Sequence, residues 1–339
     1  MLPPSDQPTS PLNLGTTAEA APAAAIPLPS PQPVPMVPAH GLVRGDRILV
    51  LLTLGFAFLL ASSPVRNSDF WLHLASGKFI WEGGSLSANP FSYTPSSGVN
   101  NSWLYDLLVY LLYNAVGGTA LVIIKALGIV VLAGIIIRLG WRGTEGWLAS
   151  LGALLSLLVL GPWLAFRPLC VSYLFLALTL WILNRSVGKN RPWLQLHTSL
   201  FLLFLLWVNM DSWFFLGPMT VGLYFLAELL PRRHPEQEPG HGQRRNLGLA
   251  LLVGLAACLI NPSHWLVFLP APQLSGLAGD LFLREQLSPL HNVYFSAQAF
   301  RTGPGMTYWI LVLGGVASFA PGWSGRPWRI LVFCAFFAL

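Results

Sequence analysis

Apolar runs long enough to cross a bilayer recur along this chain, joined by short polar connections, and they leave very few folds open. About 20 apolar residues in helical form cross the roughly 30 Å hydrocarbon core of a membrane. Only helices and closed barrels keep every backbone group hydrogen-bonded there. The runs are continuous rather than alternating, so they read as helices. Charge agrees: 9% of residues are Asp, Glu, Lys or Arg, against about 25% in soluble domains. The expected fold is an all-α polytopic transmembrane helical bundle. Fourteen Trp suit a chain with many membrane–water boundaries.

The runs place spans at about 47–65, 117–138, 146–164, 168–184, 193–209, 212–230, 246–262 and 306–320. A last run from Ile330 to Leu339 is about 15 Å long at 1.5 Å per residue, half a bilayer core, and reads as a span cut short. Residues 1–43, as in Ala25-Ile-Pro-Leu-Pro-Ser-Pro, are rich in Pro and Ala and nearly uncharged. They read as a disordered or polyproline-like tail ahead of a membrane domain at 44–339. No basic n-region or small-residue cleavage site marks a secretory signal, so the first span is expected to be retained.

Basic residues orient this layout. With the tail in the cytoplasm, 13 of the 19 Lys and Arg fall inside, 5 outside, and Lys125 within the second span. That is the bias of the positive-inside rule, and it removes the need for a nucleic-acid partner to explain the net charge of +6. Two long loops, 66–116 and 263–305, then lie on the outer face. Cys170, Cys258 and Cys334 sit apart in apolar runs and form neither a metal motif nor a disulfide framework.

The outer face gathers the groups able to do chemistry: Asp69, Glu82, Asp106, Asp211, Asp280, Glu285, His73, His264 and His291. Residues 69–82 read as an interfacial helix with Asp69, His73, Ser76 and Gly77 on one face and Trp71, Leu74, Phe79 and Trp81 as apolar cover. Asp69 is either the N-cap of that helix or a site residue; His73 is either a hydrogen-bonded interfacial ring or its partner. Residues 102–116 read as a second helix, striped by Asp106, Tyr110, Tyr113 and Asn114. Its acid must face protein or water. Asp211 breaks two apolar runs at a tight turn. Arg167 could hold a phosphate bidentately or pair with Asp211 or Asp106. Asn100-Asn-Ser102 is a glycosylation sequon. Gly-rich phosphate loops, zincin motifs and serine elbows are missing from the sequence.

Taken in order, Asp69-x-x-x-His73-x-x-x-Gly77-x-x-Ile80, Asn89-Pro-Phe-Ser-Tyr-Thr94, Trp103-Leu-x-Asp106-Leu-Leu-x-Tyr110, Arg167-Pro, Trp207-x-Asn-x-Asp-x-x-Phe214 and Asn261-Pro resemble bacterial multi-pass proteins related to the GT-C superfamily of membrane glycosyltransferases. The likeness runs over most of 45–295. It departs from the family pattern at Leu72, where relatives tend to carry Trp, and at Asp211, where they tend to carry His. The resemblance implies a GT-C-like bundle in the inner membrane, moving a sugar from a polyprenyl-phosphate donor to an acceptor at the outer face. By the resemblance, Asp69 is the catalytic base or the acid that positions the acceptor. His73, Asp106, Arg167 and Asp211 are substrate-binding, Arg167 toward the donor phosphate, and a divalent metal is a possible cofactor. The alternative is a non-catalytic membrane module that anchors a C-terminal interaction domain.

Overall fold

The computed structural model describes residues 40–65, 68–86, 91, 100, 102–141, 146–186, 193–229, 241–268, 294 and 298–319. The expected tail up to residue 39, the last apolar run, Asp280, Glu285 and His291 lie outside these residues. So does most of Asn89–Thr94. Among the described residues there is no strand. The helices are α1 His40–Ala61, α2 Asp69–Trp81, α3 Trp103–Gly140, α4 Gly146–Leu160 and α5 Leu169–Ser186. They continue with α6 Trp193–Met210, α7 Leu216–Leu229, α8 His241–Cys258 and α9 Gly303–Phe319. Each expected span falls on one of them within a few residues, except that α1 starts at His40, inside the expected tail.

Among the described residues, five stretches are long and apolar enough to cross a bilayer: Trp103–Gly140, Gly146–Trp163, Leu169–Ser186, Trp193–Met210 and Ser212–Leu229. The chain is an integral membrane protein built as a helical bundle. Its surface carries what a bilayer solvates, with Leu51 68%, Leu59 73% and Leu194 76% exposed. Hydroxyls inside the bundle return to their own helix: Thr53 donates to Leu49 O at 2.9 Å, Thr179 to Phe175 O at 2.8 Å and Thr220 to Leu216 O at 2.7 Å. With no water to take the proton, the carbonyl one turn back is the available acceptor.

Among the described residues, two larger cores lie inside the bundle. One surrounds the fully buried Trp207 and Phe204, between α5, α6, α7 and α8. The other brings Ala57 and Ala61 of α1 against Ile129, Leu132 and Leu157. A third, smaller cluster of Phe70, Tyr105, Val109, Leu121 and Phe166 closes one end. It is this cluster that positions the candidate site. Lys125, the one basic residue expected inside a span, reaches the same end. Its Nζ donates to Leu164 O at 3.2 Å and Ser63 O at 3.4 Å. Carbonyls left over where helices stop give a lysine in an apolar span its partners.

The 13 residues of α2 rise only about 20 Å, too short to span. Phe70, Ser76, Gly77 and Ile80 are its buried face, and α2 packs along the start of α3. The approach is close at Gly77, where an added Cβ would overlap the Asp106 carbonyl oxygen. Gly77→Ala must therefore push α2 off α3. We expect a loss of about 1–3 kcal/mol, the usual range for overpacking, read as a lower melting temperature of the detergent-purified protein; an unchanged value would mean that α2 is not held this close.

The helix expected at 102–116 and the span expected at 117–138 are joined. They meet at Gly117, whose φ of 78° and ψ of 174° turn the chain inside α3. A residue with a Cβ resists that φ. The turn lets the polar first part of α3 lie beside α2 while the apolar remainder runs on as a span.

Candidate functional site

Two pairs of charged or titratable groups form where α2, the start of α3 and the 161–168 connection meet. In the first, Arg167 Nη2 lies 2.8 Å from Asp69 Oδ2, with both side chains about four-tenths exposed, at 39% and 44%. Pro168 opens α5 and sets the Arg167 backbone on approach. The neighbouring Phe166 is buried edge-on against Phe70, ring centres 5.2 Å apart, which brings Arg167 to the first residue of α2. Ser68, not Asp69, occupies the N-cap position, and Asp69 reaches across to Arg167. The pairings expected for Arg167, with Asp211 or Asp106, are not the ones formed. Arg167 Nε is buried and has no hydrogen-bond partner among the described residues.

In the second pair, His73 Nδ1 is 2.6 Å from Asp106 Oδ1. Asp106 is 2% exposed. The Ser102 N–H donates to Asn100 Oδ1 at 3.0 Å, which fixes the orientation of that amide, and Asn100 Nδ2 then donates to Asp106 Oδ2 at 3.0 Å. A carboxylate filled this way only accepts, so His73 Nδ1 donates to it, and in the neutral imidazole Nε2 is the acceptor nitrogen. The Tyr105 ring stands edge-on to the imidazole at 5.2 Å and limits its rotation. Asn100, noted in the sequence only as part of a sequon, spends its side-chain amide on this network. A glycan would need that amide free.

Asp211 lies at the same end but faces inward. Its Oδ2 accepts the Ser172 hydroxyl, and Trp207 Nε1 donates to Ser172 Oγ at 2.7 Å. Burial pushes the Asp211 carboxyl up to about 6, with the Ser172 hydroxyl holding it back. An acid raised this way favours the fold while protonated, fully below its ordinary value near 3.8, and loses that contribution as pH rises through about 6. The span between those values corresponds to about 3 kcal/mol at roughly 1.4 kcal/mol per pH unit. Asp211→Asn should therefore melt higher than the unsubstituted protein at pH 7.5 and close to it at pH 4. A gap that does not widen with pH would contradict the assignment.

Other residues of the turn are structural. Trp103 Nε1 donates to Asn209 Oδ1 at 2.8 Å, and Asn261 Nδ2 donates to the same oxygen at 3.1 Å. Asn209 Nδ2 donates to Leu205 O and Ile260 O at 2.7 and 3.0 Å. Every position on the Asn209 amide is used, so this residue ties α3, α6 and the end of α8 together. The polar stripe of α3 divides in two. Asp106 is buried against His73, whereas Tyr110, Tyr113 and Asn114 line a groove of about 400 Å³ with Trp71, Leu74 and Lys78. His264 stands apart on the turn after α8, in the left-handed region at φ 47°. Among the described residues no three His, Cys, Asp or Glu lie close enough to hold a metal ion.

No protein family, curated protein or solved structure matches this chain.

Proposed function

We propose that this protein is a membrane glycosyltransferase of GT-C type, transferring a sugar from a polyprenyl-phosphate donor to an acceptor hydroxyl at the extracytoplasmic face of a bacterial inner membrane, with the N-terminus in the cytoplasm. The observation that carries the reading is the Asp69–Arg167 pair, half-exposed, with Arg167 Nε buried and unpartnered. A guanidinium has five donors and suits a phosphate. When the donor phosphate takes Arg167, the Asp69 carboxylate is released from its ion pair. It then accepts the proton of the acceptor hydroxyl as that oxygen bonds to C1 of the sugar. The C1–O bond to phosphate breaks, and polyprenyl phosphate leaves with the additional negative charge held by Arg167. His73, its proton fixed on Nδ1 by Asp106, offers Nε2 as an acceptor to a substrate hydroxyl. Asp211 shapes the floor of the site from within.

The test is transfer by membranes containing the full chain, supplied with a panel of radiolabelled polyprenyl-phosphate hexoses and pentoses. Label should pass to an acceptor above the level of membranes lacking the chain. No transfer from any donor would favour the second reading, an anchoring module in which the mutual neutralisation of Asp69 and Arg167 is their whole role.

A further inference from the structure

We infer that the groove between α2 and the start of α3 is a binding site for the headgroup of an anionic phospholipid, separate from the Asp69–Arg167 site. Three observations carry this. The groove is about 400 Å³, within the size range of small-ligand pockets, about 300–1,000 Å³. Its polar lining is Lys78, Tyr110, Tyr113 and Asn114, with no carboxylate. Among the described residues the two tyrosine hydroxyls and the Asn114 amide have no hydrogen-bond partner.

Four side chains that can all donate, one of them a cation, call for a ligand rich in acceptors and negatively charged. A phosphodiester is such a ligand. Lys78 does have a nearby acid, Glu82 at 3.7 Å. That contact is loose, both groups are about six-tenths exposed, and Glu82 is not part of the groove wall, so it competes weakly with a phosphate.

The rest of the lining selects a lipid over a soluble anion. Trp71 stands 60% exposed at the groove, as indole does at a membrane–water boundary, and Leu74 adds apolar wall. Tyr113 sits against Gly118, 3.5 Å from the position of an added Cβ, where α3 turns into its span. Beyond that turn Ile123, Ile124 and Leu127 are exposed, an apolar surface for acyl chains. The lysine position on α2 and the tyrosines on α3 thus combine a phosphate seat with access to hydrocarbon.

Native mass spectrometry of the delipidated full chain in detergent tests this, with phosphatidylglycerol, phosphatidylcholine or inorganic phosphate added. Phosphatidylglycerol should bind about tenfold more tightly than phosphatidylcholine, which carries the same phosphodiester but sets a choline cation beside Lys78. Lys78→Gln should remove that preference, and Tyr110→Phe with Tyr113→Phe should weaken binding several-fold. Helical content by circular dichroism should be unchanged in each variant. Equal binding of the two lipids, or a preference that survives Lys78→Gln, would overturn the assignment. Displacement of the lipid by millimolar inorganic phosphate would also overturn it, pointing to a soluble ligand. Sugar transfer plays no part in this readout, so the groove stands or falls independently of the proposed reaction.

Discussion

Asp106→Ala is expected to lower the stability of the protein by about 3–5 kcal/mol, the combined cost of two donors left without their buried acceptor. Asp106 is 2% exposed and receives His73 on one oxygen and Asn100 on the other. Alanine strands both donors, at about 1–3 kcal/mol for each buried group left without a partner. The loss concentrates where α2 is clamped to α3, because Gly77 packs directly on the Asp106 backbone. In a folded unit of this size, that corresponds to a melting temperature lower by about 10 °C. Asp106→Asn separates charge from geometry. An amide has one acceptor oxygen, so it keeps either His73 or Asn100 and should fall between wild type and alanine. If asparagine matched the wild type, one of the two hydrogen bonds would be contributing nothing. If alanine shifted the melting temperature by less than 2 °C, the pair would not be holding α2.

The membrane bundle was legible because a span is a local property: some twenty apolar residues between loops announce themselves without reference to the rest of the chain. The boundary between the polar helix at 102–116 and the span at 117–138 was legible for the same reason, but not that one helix runs through both and turns at Gly117. Gly117 and Gly118 follow a polar stripe and precede an apolar run, and the turn falls there. The site was legible only along one helix. Spacing of four puts Asp69 and His73 on neighbouring turns of α2, but nothing in periodicity says that they take different partners. Asp106 lies 33 residues from His73, and Arg167 comes from a connection between two later spans. The contact that decides the Arg167 pairing is Phe166 on Phe70, an aromatic packing event with no signature in the charges. Ser172 was hidden differently. A serine in an apolar run usually bonds its own helix, and here it holds Asp211 and Trp207 instead.

The sequence motif Trp207-x-Asn-x-Asp illustrates how conspicuous residues divide once they are folded. Trp207 fills a core and bonds Ser172, Asn209 satisfies four hydrogen bonds, and Asp211 turns inward. All three hold the end of the bundle in shape. Among the described residues that the sequence motifs single out for sugar transfer, Asp69, Arg167 and the Nε2 side of His73 keep capacity for another molecule. That narrows the candidate chemistry to one acid, one guanidinium and one imidazole.

Asp69→Asn is expected to reduce sugar transfer by about 100- to 10,000-fold, the contribution of a positioned general base. Its effect on stability should be small. An ion pair this exposed contributes about 0–1 kcal/mol, so melting should shift by no more than a few degrees. These two magnitudes separate catalysis from architecture. A pair that only braces α2 against the 161–168 connection can cost activity no more than it costs folding, and the expected loss in rate is several times larger. Arg167→Gln should also abolish transfer. Arg167→Lys should recover only part of it, because an ammonium keeps the charge but not the planar fork that meets a phosphate. The double variant completes the argument. If the pair is structural, removing both partners relieves the unpaired charge that each single change leaves, and function returns toward wild type. If Asp69 takes a proton and Arg167 holds the leaving phosphate, the double variant stays inactive. Should His73→Gln abolish transfer while Asp69→Asn leaves it intact, the base is the imidazole that Asp106 orients, and Asp69 serves only to hold Arg167 until the donor arrives.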